Sequence, residues 1–319
     1  MVMECRYIKL NEQFGEFLPT AACIGHFDGV HLGHQALIGS TIDKSKELNI
    51  KSAMITFDPD PQAVLNHTKT KLITTIKEKI TRVDHFGIDI LYIIEFDQEL
   101  ADLSPEDFIE KILLKLNIHS LTCGFDFRFG KQGQGTVLTL QNSTLIDFPI
   151  NIIDAITYEN KKISSTWINE LLGKGLINEV NELLGYPFSL TGKVIKGHQV
   201  GRKINFPTAN IDYDLLQSLP KIGVYVGLVD VFGSYYKAMI NVGKNPTFYD
   251  AHQITIEAHI LDFNADIYNH EIRIIFLDYL RDEVKYDNAQ ALINQLNQDI
   301  ISVLDYFKVH KINMSLLRK

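Results

Sequence analysis

The stretch CIGHFDGVHLGHQALI, Cys23–Ile38, sets three glycines and three histidines between two apolar flanks. An apolar run ends where it begins and a helical pattern starts where it ends, so GHFDGVHLGH (25–34) reads as the turn between a strand and a helix. Such a turn presents free backbone N–H groups and the positive end of the helix dipole, and both suit phosphate. Gly25 and Gly29 let the backbone bend close to a ligand, and Gly33 lets the helix approach tightly. His31 and His34, three apart, share one face of the first helical turn. Two imidazoles there can donate hydrogen bonds to a triphosphate and stabilise the charge that grows during transfer. A metal site is the weaker reading: the zinc-binding helix motif spaces its histidines by four and adds a glutamate, and no third ligand is evident.

Outward from this turn, short apolar runs alternate with longer amphipathic segments. TAACIGHF (20–27), SAMITF (52–57), DILYIIEF (89–96), LTCGF (121–125) and INIID (150–154) read as buried strands, rich in β-branched and aromatic residues. HQALIGSTIDKSKEL and SPEDFIEKILLKL read as helices, the second with Ser104 as N-cap, Pro105 in the first turn and Asp107 completing a capping box. The alternation implies a parallel sheet covered on both faces, in which ligands sit at the carboxyl ends of strands. From about Tyr186 the pattern changes to closely spaced strands split by Gly, Pro and Asn, among them GVYVGLVDVF, YYKAMINVG, ITIEAHILDF and EIRIIFLDYL. That is the signature of a small barrel or sandwich. NAQALINQLNQDIISVLDYF closes the chain as a helix. The boundary falls at LLGYPFSL (183–190), giving domains 1–185 and 186–319.

Bulk properties agree. A chain of 319 residues fits two domains. A net charge of −8 argues against general nucleic-acid binding, which needs a basic surface, but leaves room for single nucleotides. The three cysteines lie far apart without a CxxC, which fits a reducing compartment and supplies neither a disulfide framework nor zinc. The first residues are too charged for a signal peptide, and no apolar run nears the roughly 18 residues of a membrane span. The expectation is a cytoplasmic protein with no membrane partner, with room for a weak homo-oligomer.

Two further segments carry chemistry. In KISSTWIN (162–169), Lys162 with the hydroxyls of Ser165 and Thr166 can clamp an oxyanion, and the same SST can cap the helix that follows. In GHQVGRKINFPTANI, Pro207 fixes a turn after which Thr208 and Asn210 point the same way, a hydroxyl and an amide oxygen suited to Mg²⁺. Without further context, an Asx turn is the commoner explanation of PTAN. Glu257, between Ile256 and Ala258, is either a solvent-facing strand charge or a carboxylate set among apolar neighbours as a general base. No GxxxxGK[ST] occurs, which excludes a P-loop kinase.

GHFDGVHLGHQ resembles the HxGH signature of the nucleotidyltransferase superfamily. The whole chain is similar to the bifunctional bacterial riboflavin kinase/FMN adenylyltransferases (FAD synthetases), through TFDPDP (56–61), GFDFRFGKQG (124–133), KISSTWIN, GRKINFPTANI (201–211), GVYVG (223–227), NVGKNPTF (241–248) and IEAHILDFNADIY (256–268) in the same order. The resemblance implies an α/β then mostly β chain: a Rossmann-like nucleotidyltransferase domain followed by a small Greek-key β-barrel riboflavin kinase domain with a C-terminal helix. It implies ATP-dependent phosphorylation of riboflavin to FMN, then adenylylation of FMN to FAD with release of pyrophosphate, with Mg²⁺ as cofactor and riboflavin, FMN and ATP as partners.

Residue by residue, His31 and His34 would bind the ATP phosphates within a loop containing Gly25, Phe27, Asp28 and Gly29. Lys162, Ser165 and Thr166 would take the phosphate-loop role, and Asp126 would lie at the FMN or nucleotide site. In the kinase half, Thr208 and Asn210 would hold Mg²⁺-ATP, Gly197, Gly201 and Arg202 would form the loop over the nucleotide, Glu257 would take the proton from the ribityl 5′-hydroxyl, and Arg281 would lie on the flavin side. The chain departs from the family at Asp60 (usually His), Trp167 and Asn169 (usually within STRIR) and Asn205 (usually Gly). Less positive charge at a triphosphate site predicts weaker ATP binding there. The rival reading is a riboflavin kinase whose N-terminal domain is a weakened or inactive regulatory module.

Overall fold

The structure, a computed structural model, describes residues 3–10, 12, 15–197, 201, 204–244 and 254–317. The chain divides into two compact units, Met1–Ser165 and Thr166–Arg318.

The first unit is built on six parallel strands, β1 (Glu4–Ile8), β2 (Thr20–Ile24), β3 (Lys51–Asp58), β4 (Ile90–Glu95), β5 (Ile118–Gly124) and β6 (Ile150–Ile153), in the order β1-β4-β3-β2-β5-β6. Five were legible as apolar runs; β1, a largely exposed edge strand, was not. Alternate residues feed two cores. Ala22, Ile24, Ile55, Tyr92 and Ile94 pack on one face, and Cys23, Met54, Leu91 and Ile93 on the other. A strand apolar on both sides has to be covered twice, which is why its sequence runs apolar without alternation. Helix α1 (Leu32–Leu48) follows β2, and α2 (Ile76–Phe86) leads into β4. Succession runs β2-β3-β4 to one side, then returns across β2 to β5, so the topological switch lies between the carboxyl ends of β2 and β5. GHFDGVHLGH and GFDFRFG leave the sheet at those two ends.

The segment read as one helix from Ser104 is an α-turn, Pro105–Phe108, that widens to π geometry over Ile109–Leu114. Ser104 caps it, accepting the Asp107 amide at 3.0 Å, but the capping box does not form: the Asp107 carboxylate accepts the Ser104 hydroxyl at 2.9 Å instead of a backbone N–H. Aspartate is one methylene shorter than the glutamate such a box employs.

In the second unit α3 (Ser165–Lys174) and α4 (Ile177–Leu184) precede a closed six-stranded antiparallel barrel. Its strands are β7 (Ser189–Ile195), β8 (Ala209–Tyr213), β9 (Gly223–Val231), β10 (Ser234–Lys244), β11 (Ile254–Ile260) and β12 (Glu271–Arg281), ordered β7-β8-β11-β10-β9-β12 and closed by β12 on β7. The chain crosses from β8 to β9, the far strand of the meander β9-β10-β11, so that β8 pairs with β11, the Greek-key departure from simple succession. Helix α5 (Ala289–Val309) packs against β9 and β10, and Asp299 on it grips Arg281 at the end of β12 through three N–H···O contacts of 2.6–3.1 Å.

The helices before residue 186 pack on this barrel. The Asn181 amide donates to the Phe276 carbonyl at 3.0 Å and accepts the Phe188 N–H at 2.7 Å, and the Lys221 N–H donates to the Leu172 carbonyl at 2.9 Å. A fragment starting at Thr166 is therefore expected to be more stable than one starting at Tyr186. Four buried aliphatic residues of α4, Ile177, Val180, Leu183 and Leu184, are lost from the shorter piece, each worth about 1.5–3 kcal/mol. Equal urea midpoints for the two fragments would refute this.

Candidate active sites

The turn after β2 is held in an uncommon conformation. Phe27 has left-handed φ/ψ (55°, 33°), Gly29 follows at φ 78°, and even β-branched Val30 lies at φ 36°. Left-handed backbone at two non-glycine residues in four is costly and persists only where surroundings over-determine it. Those surroundings are identifiable. The Asp28 carboxylate accepts the N–H groups of Ile73 and Thr74 at 2.9 and 3.1 Å, the Gly29 N–H donates to the Thr74 hydroxyl at 3.0 Å, and the Ser165 hydroxyl donates to the Asp28 carbonyl at 2.9 Å. Phe27 and Val30 are fully buried anchors. A Cβ on Gly29 would stand 3.0 Å from the Ile73 side chain, a tight contact added to its left-handed φ.

His31 caps α1: its Nδ1 accepts the His34 N–H at 3.4 Å. With Nδ1 accepting, the proton of the neutral ring sits on Nε2, which is left to donate. The two rings stack, centroids 3.7 Å apart and 16° from parallel. Burial and the nearby Lys162 charge press His31 down to about 4, and burial, with His31 and the charges around it, holds His34 well below the ordinary imidazole value. Both are therefore neutral donors at pH 7. Gly33 serves a different purpose from the one its position suggests: a Cβ there would lie 3.1 Å from the His31 ring, so it clears space for the imidazole rather than for helix packing. The Gly25 N–H continues the sheet, donating to the Ile55 carbonyl at 3.1 Å.

Lys162 pairs with Asp126 and lies 4.8 Å from the centroid of the Phe125 ring, bringing two residues 36 apart in sequence to one place. Ser165 touches the loop through Asp28, as above, while Thr166 lies exposed in the first turn of α3, with Asn169 one turn on. Asp60 is not a free negative charge. It is buried, caps the short helix Pro61–Leu65 by accepting the Gln62 N–H at 3.0 Å, and faces His26 at 3.7 Å. Sequence reasoning missed Lys79 altogether. It lies on α2, only 3 % exposed, and its ammonium donates to the His26 carbonyl at 2.6 Å and the Thr56 hydroxyl at 3.1 Å.

In the barrel, Glu257 on β11 stands in register between Asn210 on β8 and Asn241 on β10. Its carboxylate accepts the Thr208 hydroxyl at 3.0 Å. These groups open on a cavity of about 270 Å³ lined by Gly201, Thr208, Asn241, Glu257 and Arg281, with an apolar side that includes Val224, Met239 and Leu296. Two glycines permit close approach: a Cβ on Gly197 would meet the Asn210 amide at 2.4 Å, and one on Gly201 the Phe206 carbonyl at 2.1 Å. Asn205 adopts the left-handed φ of 63° that the family's glycine would take, which asparagine tolerates. Arg281 lines the cavity, but its guanidinium is committed to Asp299 and the Asp282 carbonyl. Arg202 lies outside the described residues. Asn241 and His259, whose Nδ1–H donates to the Pro207 carbonyl at 2.8 Å, were assigned nothing from sequence. The signal for Asn241 was its place at the head of NVGKNPTF.

A nucleotidyltransferase-type α/β unit with an HxGH turn, joined to a barrel whose cavity sets the Glu257 carboxylate beside hydroxyl and amide oxygens, defines a two-site transferase. Family comparison is more specific. Residues 16–167 match the FAD synthetase model and residues 184–307 the riboflavin kinase model. The chain is 37 % identical to the bifunctional riboflavin kinase/FMN adenylyltransferase of Listeria monocytogenes, covering 86 % of this chain and 88 % of that one, and 36 % identical to that of Bacillus subtilis, covering 92 % and 94 %. This chain belongs to the bifunctional riboflavin kinase/FMN adenylyltransferase family, with both enzyme domains present. A Streptococcus pneumoniae crystal structure described as a macrolide-efflux protein superposes with a TM-score of 0.87 at 29 % identity, over 95 % of this chain and 99 % of that one. The likeness extends to the fold; among the described residues here no helix is long and apolar enough to cross a membrane.

Proposed function

We propose that the two activities are divided between the two sites, with FMN adenylylated at the His31–His34 turn and riboflavin phosphorylated at Glu257. The observation that carries this is the pair of stacked neutral imidazoles at the switch point of one unit and the Thr208–Glu257 contact in the cavity of the other. In the first site a phosphate oxygen of FMN attacks the α-phosphorus of ATP, the α–β P–O bond breaks and pyrophosphate leaves. No group on the protein needs to accept a proton, so positioning and charge stabilisation carry the step. His31 and His34 supply uncharged donors, and Lys162 is exchanged from Asp126 to phosphate.

In the second site the ribityl 5′-hydroxyl takes the place of the Thr208 hydroxyl against Glu257. Glu257 accepts its proton as the oxygen bonds to the γ-phosphorus and ADP departs. Thr208 and Asn210 offer the hard, neutral oxygens that Mg²⁺ takes when phosphates and water complete its shell. Among the described residues no three His, Cys, Asp or Glu gather into a metal site of their own, which fits an ion that arrives with the nucleotide. Bound there, Mg²⁺ would neutralise phosphate charge. We read 1–185 and 186–319 as the two catalytic domains, with α3 and α4 at the end of the first packed on the barrel of the second unit, Gly25, Phe27, Asp28, Gly29, Ser165 and Thr166 as the ATP cradle of the first, Gly197, Gly201 and Arg202 as that of the second, and the protein as cytoplasmic.

The test is a single incubation with riboflavin, ATP and Mg²⁺, with FMN and FAD separated by chromatography. Both products are expected, both are expected to disappear with excess EDTA, and Mg²⁺ should restore them. Undiminished FMN formation in EDTA would overturn the assignment of Thr208 and Asn210.

A further inference from the structure

The segment Ile73–Lys79, just before and into α2, wraps the back of the HxGH turn at three points. The Ile73 and Thr74 N–H groups hold the Asp28 carboxylate, the Thr74 hydroxyl holds the Gly29 N–H, and the Lys79 ammonium holds the His26 carbonyl. The third contact differs in kind. A buried ammonium is far costlier to desolvate than a neutral donor that could reach the same carbonyl. The His26 carbonyl also accepts the Thr56 hydroxyl at 3.0 Å, so the backbone is already tethered without the charge. What a charge adds is a positive potential beneath a triphosphate site, in a chain that has Asn169 where the family usually carries an arginine.

We infer that Lys79 is a positioning residue for adenylyl transfer, holding the turn by the His26 carbonyl and providing a buried positive charge beneath the bound triphosphate. This rests on reading the His31–His34 turn as the ATP site. The groups that face it are Asp28 on the turn, Asp58 at the end of β3 and Asp60 just after it, and His26 and His34 on the turn and α1. The three carboxylates favour its charged form. Burial outweighs them and brings Lys79 down to about 8, so the charge is present at pH 7 and is lost as pH rises through that value.

The experiment uses the full chain and measures kcat and KM for ATP in FAD formation from supplied FMN, with riboflavin phosphorylation by the same preparation as the control. Lys79→Met, which keeps the length and removes the charge, is expected to lower kcat/KM about 10- to 100-fold, the range typical of residues that orient a primary set of ligands. The wild-type kcat/KM profile is expected to fall with a midpoint near pH 8, since this parameter reports the free enzyme. That limb should vanish in Lys79→Met and move to higher pH in Lys79→Arg, with partial recovery of the rate below it. A loss under about threefold, or a loss with the limb unmoved, overturns the proposal. If Lys79→Met fails to fold, Lys79→Arg decides alone: a displaced limb supports the proposal and an unmoved one refutes it. His34→Ala is assayed alongside. Its full activity would show that the turn is not the ATP site, a failure separate from that of Lys79.

Discussion

Glu257→Gln is expected to abolish FMN formation from riboflavin and to leave conversion of supplied FMN to FAD close to wild type. The amide keeps the size of the side chain and can still face the Thr208 hydroxyl, so the cavity should survive. It cannot take a proton, and loss of a positioned base commonly costs about 10²–10⁴ in rate. Glu257 is central in the row Asn210–Glu257–Asn241, and no other carboxylate among the described residues contacts the Thr208 hydroxyl. Chromatography of both products in both assays gives the answer. Equal damage to the two reactions would mean a shared site and would end the two-site reading.

His34→Ala is expected to do the converse, lowering FAD formation about 10²–10³-fold, the cost of removing one preorganised donor from a charge-stabilising site, with FMN formation unchanged. His34 is a cleaner choice than His31, whose Nδ1 also caps α1, a contact worth about 1 kcal/mol of stability in its own right. The His34 side chain caps nothing. Its Nδ1 is buried without a hydrogen-bond partner among the described residues, and its ring is placed by stacking on His31 and by Phe27 at 5.1 Å. FAD formation above a third of the wild-type rate would exclude His34 from the reaction.

Charge counting along the sequence treats Asp60 and Asn169 as alike, two losses of positive charge at a triphosphate site. The structure separates them. Asp60 is engaged on its own side, capping Pro61–Leu65 and facing His26, and its carboxylate is one of three that favour the charged form of Lys79. Replacing it with the family's histidine would cost the cap and set a second imidazole against His26, so the substitution at Asp60 is not a simple deficit to be repaired.

What could be read from the sequence alone was whatever depends on neighbours along the chain. The apolar runs at 20–27, 52–57 and 89–96, short and rich in β-branched and aromatic residues, read as strands covered on both faces, and the strands lie at 20–24, 51–58 and 90–95. The turn GHFDGVHLGH had to lie between strand and helix, and the i, i+3 spacing put His31 and His34 on one side of it. The change of period near Tyr186 announced a second, β-rich unit, though not where its contacts begin. Tertiary structure alone decided what depends on distance in space. Closure of the second unit into a barrel, rather than a sandwich, follows from β12 pairing with β7, some 80 residues apart, which no local pattern encodes. The pairing of Lys162 with Asp126 and the row of Glu257 between two asparagines are likewise matters of register. Lys79 is the sharpest case. On its own helix it is one more charged residue in TIKEKITR, ordinarily a solvated face; only the packing of α2 against the back of the turn buries it and aims its ammonium at the His26 carbonyl. A buried charge is set by the elements that close around it, and those come from β2, β3 and α2, brought together only when the sheet forms.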